Sequence, residues 1–214
     1  MSTEIRRAQE KDTSFIAWVQ LAAARSHVPI GFFDLAFPGE EEQRLSLIER
    51  VCATKTLSMC HWSGFFVADV DGEPVAGLSG YEPTTRGHET FAAAMSEGLR
   101  GAGWTPEEVD GAFGRMGPFL KCAPDSPDDA WIVEWVATTD GFRGRGLIRS
   151  LLERVLEEGK QKSYRRSQIS LLIDNHPAQR AYESAGFKVE DEKRHPEFEA
   201  TFGSPGIRRM LRDL

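Results

Sequence analysis

The chain has 214 residues, 40% of them apolar and 28% charged, with a formal charge of -7. That balance suits one well-buried domain and excludes disordered and fibrous classes, and the acidic surplus argues against nucleic acid as a partner, which needs clustered Lys and Arg. No apolar run of about eighteen residues and no leader-like opening appears, and Cys52, Cys60 and Cys122 form neither a C-x-x-C pair nor a Cys/His cluster, so a cytoplasmic protein with no membrane partner, no disulfide framework and no metal is expected.

Residues 5–8 read as an edge strand, followed by a helix with Asp12 as N-cap and Phe15, Ile16, Val19 and Leu21 on its apolar side. The acidic stretch 40–42 precedes Leu45, Leu47, Ile48 and Val51, the spacing of a second helix with negative charge at its N-terminus. Residues 65–70 and 74–81 flank Asp71-Gly72, a dipeptide suited to a tight turn, and predict a β-hairpin. Between 82 and 129 the texture changes: two helices, near 89–99 and 106–120, lie among glycines, and the segment reads as a helical insertion in a single domain spanning 1–214.

Residues 131–138 are β-branched and aromatic on both faces, as in a central strand, with Glu134 the lone carboxylate. A helix over 146–158 follows, its stripe carrying Leu147, Ile148, Leu151, Leu152, Val155 and Leu156 and its stop assigned to Gly159. A strand over 168–173 leads into Asn175-His176-Pro177, with Pro in the first turn of a helix that ends at Gly186. Strand, helix, strand, helix implies a parallel pair. Residues 187–192 and 207–211 make a last pair of strands, joined by a Pro/Gly-bearing loop.

Chemistry concentrates at the string T-T-D-G-F-R-G-R-G-L-I, where the central strand gives way to a helix. The first turn of a helix offers unpaired N–H donors and a partial positive charge, and glycines let a ligand approach the backbone closely. Arg143 and Arg145 add charge at the same place, so a diphosphate fits better than a carboxylate; an ordinary strand-to-helix turn is the plain alternative. Neither a Walker loop nor a dinucleotide fingerprint is present.

These residues resemble the GNAT N-acetyltransferase superfamily. Its Q/R-x-x-G-x-G/A motif is met by Arg143, Gly144, Arg145, Gly146 and Leu147, with Ile148 replacing the usual small residue at the end. Its N-x-x-A-x-x-x-Y-x-x-x-G-F signature appears as Asn175, Ala178, Tyr182, Gly186 and Phe187. The resemblance runs from Trp131 to Phe187, and upstream only the element order is compatible.

The resemblance implies an α/β (α+β) fold with a mixed, mostly antiparallel sheet of about seven strands, helices on both faces, and a V-shaped splay between the fourth and fifth strands. It implies acetyl-CoA as cofactor, the pyrophosphate on residues 143–148 and the pantetheine arm along Val136, Ala137 and Thr138, with Asn175, Ala178 and Tyr182 at the same arm. It further implies transfer of acetyl to an amine of a small molecule or peptide by direct attack in a ternary complex.

An ammonium has no lone pair, so a base is needed; Glu134 is the candidate, its alternative being a structural ion pair. Tyr182 is the candidate hydrogen-bond donor to the leaving thiolate, its alternative being a core aromatic, and the Val136 N–H is the candidate oxyanion donor. An acyl-cysteine is disfavoured because no Cys lies near these motifs in sequence. A catalytically silent acyl-CoA sensor is the rival function. Residues 82–129 are expected to cover the acceptor pocket, and a homodimer is the default assembly.

Overall fold

Local patterning sets most of the elements seen in a computed structural model, which describes residues 2–214. In chain order these are β1 (Thr3–Arg7), α1 (Thr13–Arg25), α2 (Phe32–Ala36), α3 (Glu41–Cys52), β2 (Phe65–Val70), β3 (Glu73–Tyr81), α4 (Pro83–Arg86), α5 (His88–Gly101), α6 (Pro106–Arg115), α7 (Gly117–Leu120), β4 (Ala130–Thr138), α8 (Leu147–Gln161), β5 (Arg166–Leu172), α9 (His176–Ser184), β6 (Lys188–Arg194), α10 (Pro196–Phe202) and β7 (Gly206–Asp213).

The hairpin forms as expected, with Asp71 and Gly72 at φ 53° and 92° in its turn. Asp12 holds the N-cap position of α1, as expected, but its side chain makes no capping hydrogen bond. Its carboxylate instead accepts the Gln9 N–H at 2.7 Å and a two-pronged bond from Arg6 at 2.6 and 2.9 Å, tying β1 to the start of the helix. The helix expected over 106–120 is two helices, because Gly117-Pro118 removes a donor and interrupts the ladder after Arg115. The segment 196–202, expected as loop, is α10, with Pro196 in its first turn and Gly203 at φ 75° after its last.

Gly159 does not stop α8, which continues to Gln161. A Cβ there would meet Trp131 Cγ at 2.8 Å, so the glycine serves close helix-to-strand packing. Gly80 of β3 is tighter still: a Cβ would lie 2.2 Å from Val155 Cγ2 and 2.8 Å from Trp131 Nε1. Gly80→Ala is expected to destabilise the fold by about 1–3 kcal/mol, read as a lower urea midpoint.

The sheet is mixed, in the order β1-β2-β3-β4-β5-β7-β6. Among the described residues only β4 and β5 pair in parallel; β7 folds back between β5 and β6. The parallel pairing starts at Ala130↔Arg166 and stops at Val133↔Ile169, after which the two strands part. This is the splay implied by the resemblance. One face of the sheet, with Ala130, Ile132, Trp135 and Ala137 of β4, packs under residues of α1, α2, α3, α5 and α6. The other, with Trp131, Val133 and Val136, packs under α8 and Tyr182 of α9. No helix among the described residues is long and apolar enough to cross a membrane.

Candidate active site

The open end of the splay gathers the C-terminal ends of β4 and β5, the first turn of α8 and the start of α9. Its geometry depends on a bulge in β4. Gly77 opposes Ala137 while Ser79 opposes Glu134, so Leu78 alone faces Trp135 and Val136. Trp135 takes the extra step at φ 55°, an uncommon conformation for an aromatic residue and one that costs on the order of 1–3 kcal/mol. The bulge sets Glu134 and Trp135 consecutively on the α1 face, where Trp135 meets Phe33 with ring centroids 5.5 Å apart.

Beyond the bulge the backbone alternates regularly. Thr139 donates its N–H to Val75 of β3 at 2.9 Å, so the backbone groups of Ala137 also face β3, while those of Val136 and Thr138 face the side from which β5 has withdrawn. The Thr138 carbonyl accepts Arg143 Nε at 3.3 Å, and the Thr138 and Thr139 hydroxyls are buried without a hydrogen-bond partner among the described residues. Buried polar atoms of this kind are uncommon in a finished fold.

The turn into α8 has Gly144 at φ 75° and Gly146 at φ 79°, with open space where either Cβ would stand. The first helical bond of α8 runs from Ser150 N–H to Gly146 C=O at 3.2 Å, so the N–H groups of Leu147, Ile148 and Arg149 precede the ladder and have no acceptor within the helix. Arg143 is 69% exposed and pairs with Asp140 at 3.0 Å, whereas Arg145 lies over the Phe142 ring at 4.7 Å and donates to the Gly141 carbonyl at 2.9 Å. Asn175 does cap α9: its Oδ1 accepts the Ala178 N–H at 3.1 Å, and its Nδ2 donates to Ser26 Oγ, just past α1, at 2.6 Å.

Glu134 is half-buried in the α1 face. Loss of hydration raises its carboxyl to about 7, partly offset by a hydrogen bond from Tyr81. Among the described residues no cation is found to act on it, so the structural ion pair considered for it is not seen there. Tyr182 lies on the opposite face, 5% exposed against Phe187, and burial holds its phenol above the ordinary tyrosine value. The sheet thus separates the two candidate groups, and the gap between β4 and β5 lies where the strands part.

Sequence separation had set the cysteines apart from the motifs, yet folding brings Cys60 within electrostatic range of Glu134. It is fully buried, and burial pushes its thiol well above the usual range, so it stays protonated and a poor nucleophile. Tyr81 and Cys60 carried no local signal, because they reach Glu134 through strand pairing and a loop. Trp104, Phe113, Met116 and Phe119 pack with the core, as expected by default for such spacing. Surface recesses beside Lys162 and Tyr164 and beside Arg86 and Glu158 lie at the other end of the sheet and contain none of the residues expected at the cofactor.

Residues 112–187 match the family model described as Acetyltransferase (GNAT) family. Among solved structures, the chain is similar to the N-acetyltransferase from Staphylococcus aureus Mu50 (TM-score 0.69, 18% identity, 98% of this chain and 100% of that one). It is also similar to yncA from Salmonella typhimurium, solved with its cofactor acetyl-CoA (0.56, 15%, 100% and 95%). A third is the polyamine N-acetyltransferase of Drosophila melanogaster, an enzyme that forms N-acetylagmatine (0.56, 12%, 100% and 100%). No curated protein matches the chain by sequence. Residues 112–187 thus match the GNAT family model, and over its whole length the chain has the fold of these acetyltransferase structures.

Proposed function

We propose that the chain transfers an acetyl group from acetyl-CoA to an amine of a small molecule or peptide, by direct attack in a ternary complex. The observation that carries this reading is the parting of β4 from β5 beside a helix whose first-turn N–H groups lack acceptors, with a half-buried carboxyl on the adjacent face. The residues fit the cofactor. Val136 and Thr138 turn their backbone groups toward the gap for the amides of an extended arm, the Thr138 carbonyl also accepting from Arg143, and residues 144–148 present donors, with open space at Gly144 and Gly146, to a diphosphate. Arg143 and Arg145 add charge near it, Asn175 and Ala178 stand at the arm's other side, and the Ala137 backbone stays with β3.

Bound acetyl-CoA supplies a thioester, an acyl group already activated toward nitrogen. Glu134, with its carboxyl near 7, takes the proton that the amine must lose. The Val136 N–H is placed to donate to charge developing on a carbonyl oxygen. Tyr182 keeps its proton at neutral pH and acts as a hydrogen-bond donor toward sulfur. The helices of 82–129 pack over the α1 face, the face of Glu134, and are read as the cover of the acceptor pocket. A relative that forms N-acetylagmatine supports an amine as acceptor.

The test measures heat with coenzyme A and thiol release from acetyl-CoA across a panel of amines. Saturable binding with amine-dependent release supports the proposal; no heat overturns the cofactor, and binding without release for any amine overturns the transfer. Tyr182→Phe is expected to lower kcat about tenfold with the Kd of coenzyme A unchanged, less than the usual 10²–10⁴ for acid catalysis because a thiolate leaves without full protonation.

A further inference from the structure

We propose that Tyr81 is a positioning residue for Glu134, its phenol donating to the carboxylate from the neighbouring strand and fixing where and in which protonation state the base is held. The proposal rests on the reading of Glu134 as the base. Tyr81 opposes Ile132 and Ser79 opposes Glu134 in the antiparallel ladder, so Tyr81 and Glu134 are diagonal neighbours on one face, within reach of an aromatic side chain. Tyr81 is 2% exposed, and a phenol so buried needs an acceptor. Two stand near it: the Met59 sulfur at 3.9 Å, a weak acceptor, and the Glu134 carboxyl, its diagonal neighbour on the same face of the ladder.

Other groups around Glu134 do not replace this contact. Cys60, from the loop before β2, lies within its electrostatic range as a buried thiol, and Cys52 at the end of α3 lies beyond Cys60. Gln20 of α1 is uncharged and spends its amide N–H on Cys52 and the Cys60 carbonyl. Among the described residues no Asp, second Glu, Lys, Arg or His is found to act on Glu134, and Tyr81 is the group that opposes the effect of burial. A donor to the charged form favours that form, so removing it makes the base harder to ionise.

The experiment titrates the full chain labelled with ¹³C at Glu Cδ and Tyr Cζ, assigning Glu134 and Tyr81 by loss of signal in Glu134→Gln and Tyr81→Phe. The native protein is expected to show the Tyr81 Cζ shift moving at the Glu134 midpoint, near 7. Tyr81→Phe should raise that midpoint by about half to one unit, the worth of one hydrogen bond to a carboxylate. The acid limb of kcat/KM should move equally while KM for acetyl-CoA holds, and Met59→Leu should leave both in place. A Tyr81 signal silent through the Glu134 titration overturns the proposal, and so does an unmoved midpoint in Tyr81→Phe. Should Glu134→Gln keep the native rate and acid limb, the base reading falls, and the positioning role with it, whatever the spectra show.

Discussion

Glu134→Gln is expected to lower kcat/KM by about 10²- to 10³-fold, with the Kd of coenzyme A changed by less than about twofold. The amide keeps the shape of the side chain and its contact with Tyr81, so the loss isolates the proton acceptor. In the native protein kcat/KM should rise with pH through about 7 as Glu134 ionises, and that limb should vanish in the variant, leaving only the rise set by the acceptor amine. Stability gives a second readout with a definite sign. Burial raises the carboxyl from 4.5 to about 7, so the folded chain holds a proton that the unfolded chain releases. The contribution is present below the unfolded value and lost as pH rises through about 7. Over that window the native protein should lose up to about 3 kcal/mol relative to Glu134→Gln, less in practice because the residue is only half-buried. Thermal melts at pH 5 and pH 8 check this, and a native protein that gains on the variant between them contradicts it.

Gly146→Val should weaken coenzyme A binding by about 10²-fold, roughly 2.7 kcal/mol. The cause is backbone conformation, not steric contact, since a Cβ at Gly146 meets nothing within 4 Å. At φ 79° a β-branched residue is strained by about 1–2 kcal/mol, and relaxing that strain turns the N–H groups of the α8 first turn away from their common focus. Gly114→Ala is the control: it too lies in open space, in α6, far in the chain from this turn, and should leave the Kd unchanged. Calorimetry with coenzyme A separates the two, and an equal loss in both variants would remove the turn from the binding site.

Helix α8 was legible because its apolar stripe repeats at helical spacing, and α9 because Asn175 and Pro177 are a cap and a first-turn residue whatever surrounds them. The hairpin was legible from its turn dipeptide. The failures are equally specific. Asp12 stands at the cap position, but its side chain found a stronger partner in Arg6, which arrives from β1. Gly159 looked like a stop because nothing local announces that Trp131 crosses over it. Helix α10 carried proline and glycine at the right places, and reading them as loop punctuation ignored their asymmetry.

What the sequence by itself determined was the order of strand, glycine-bearing turn, helix, strand and capped helix, since periodicity, turn residues and caps act over a few neighbours. Only the tertiary structure decided that β7 lies between β5 and β6, that a bulge at Trp135 puts Glu134 on the α1 face, and that Tyr81 lies diagonally beside it and Cys60 within its electrostatic range while Tyr182 sits across the sheet. Those outcomes follow from register and from which faces are packed together, and both are set by partners far away in the chain.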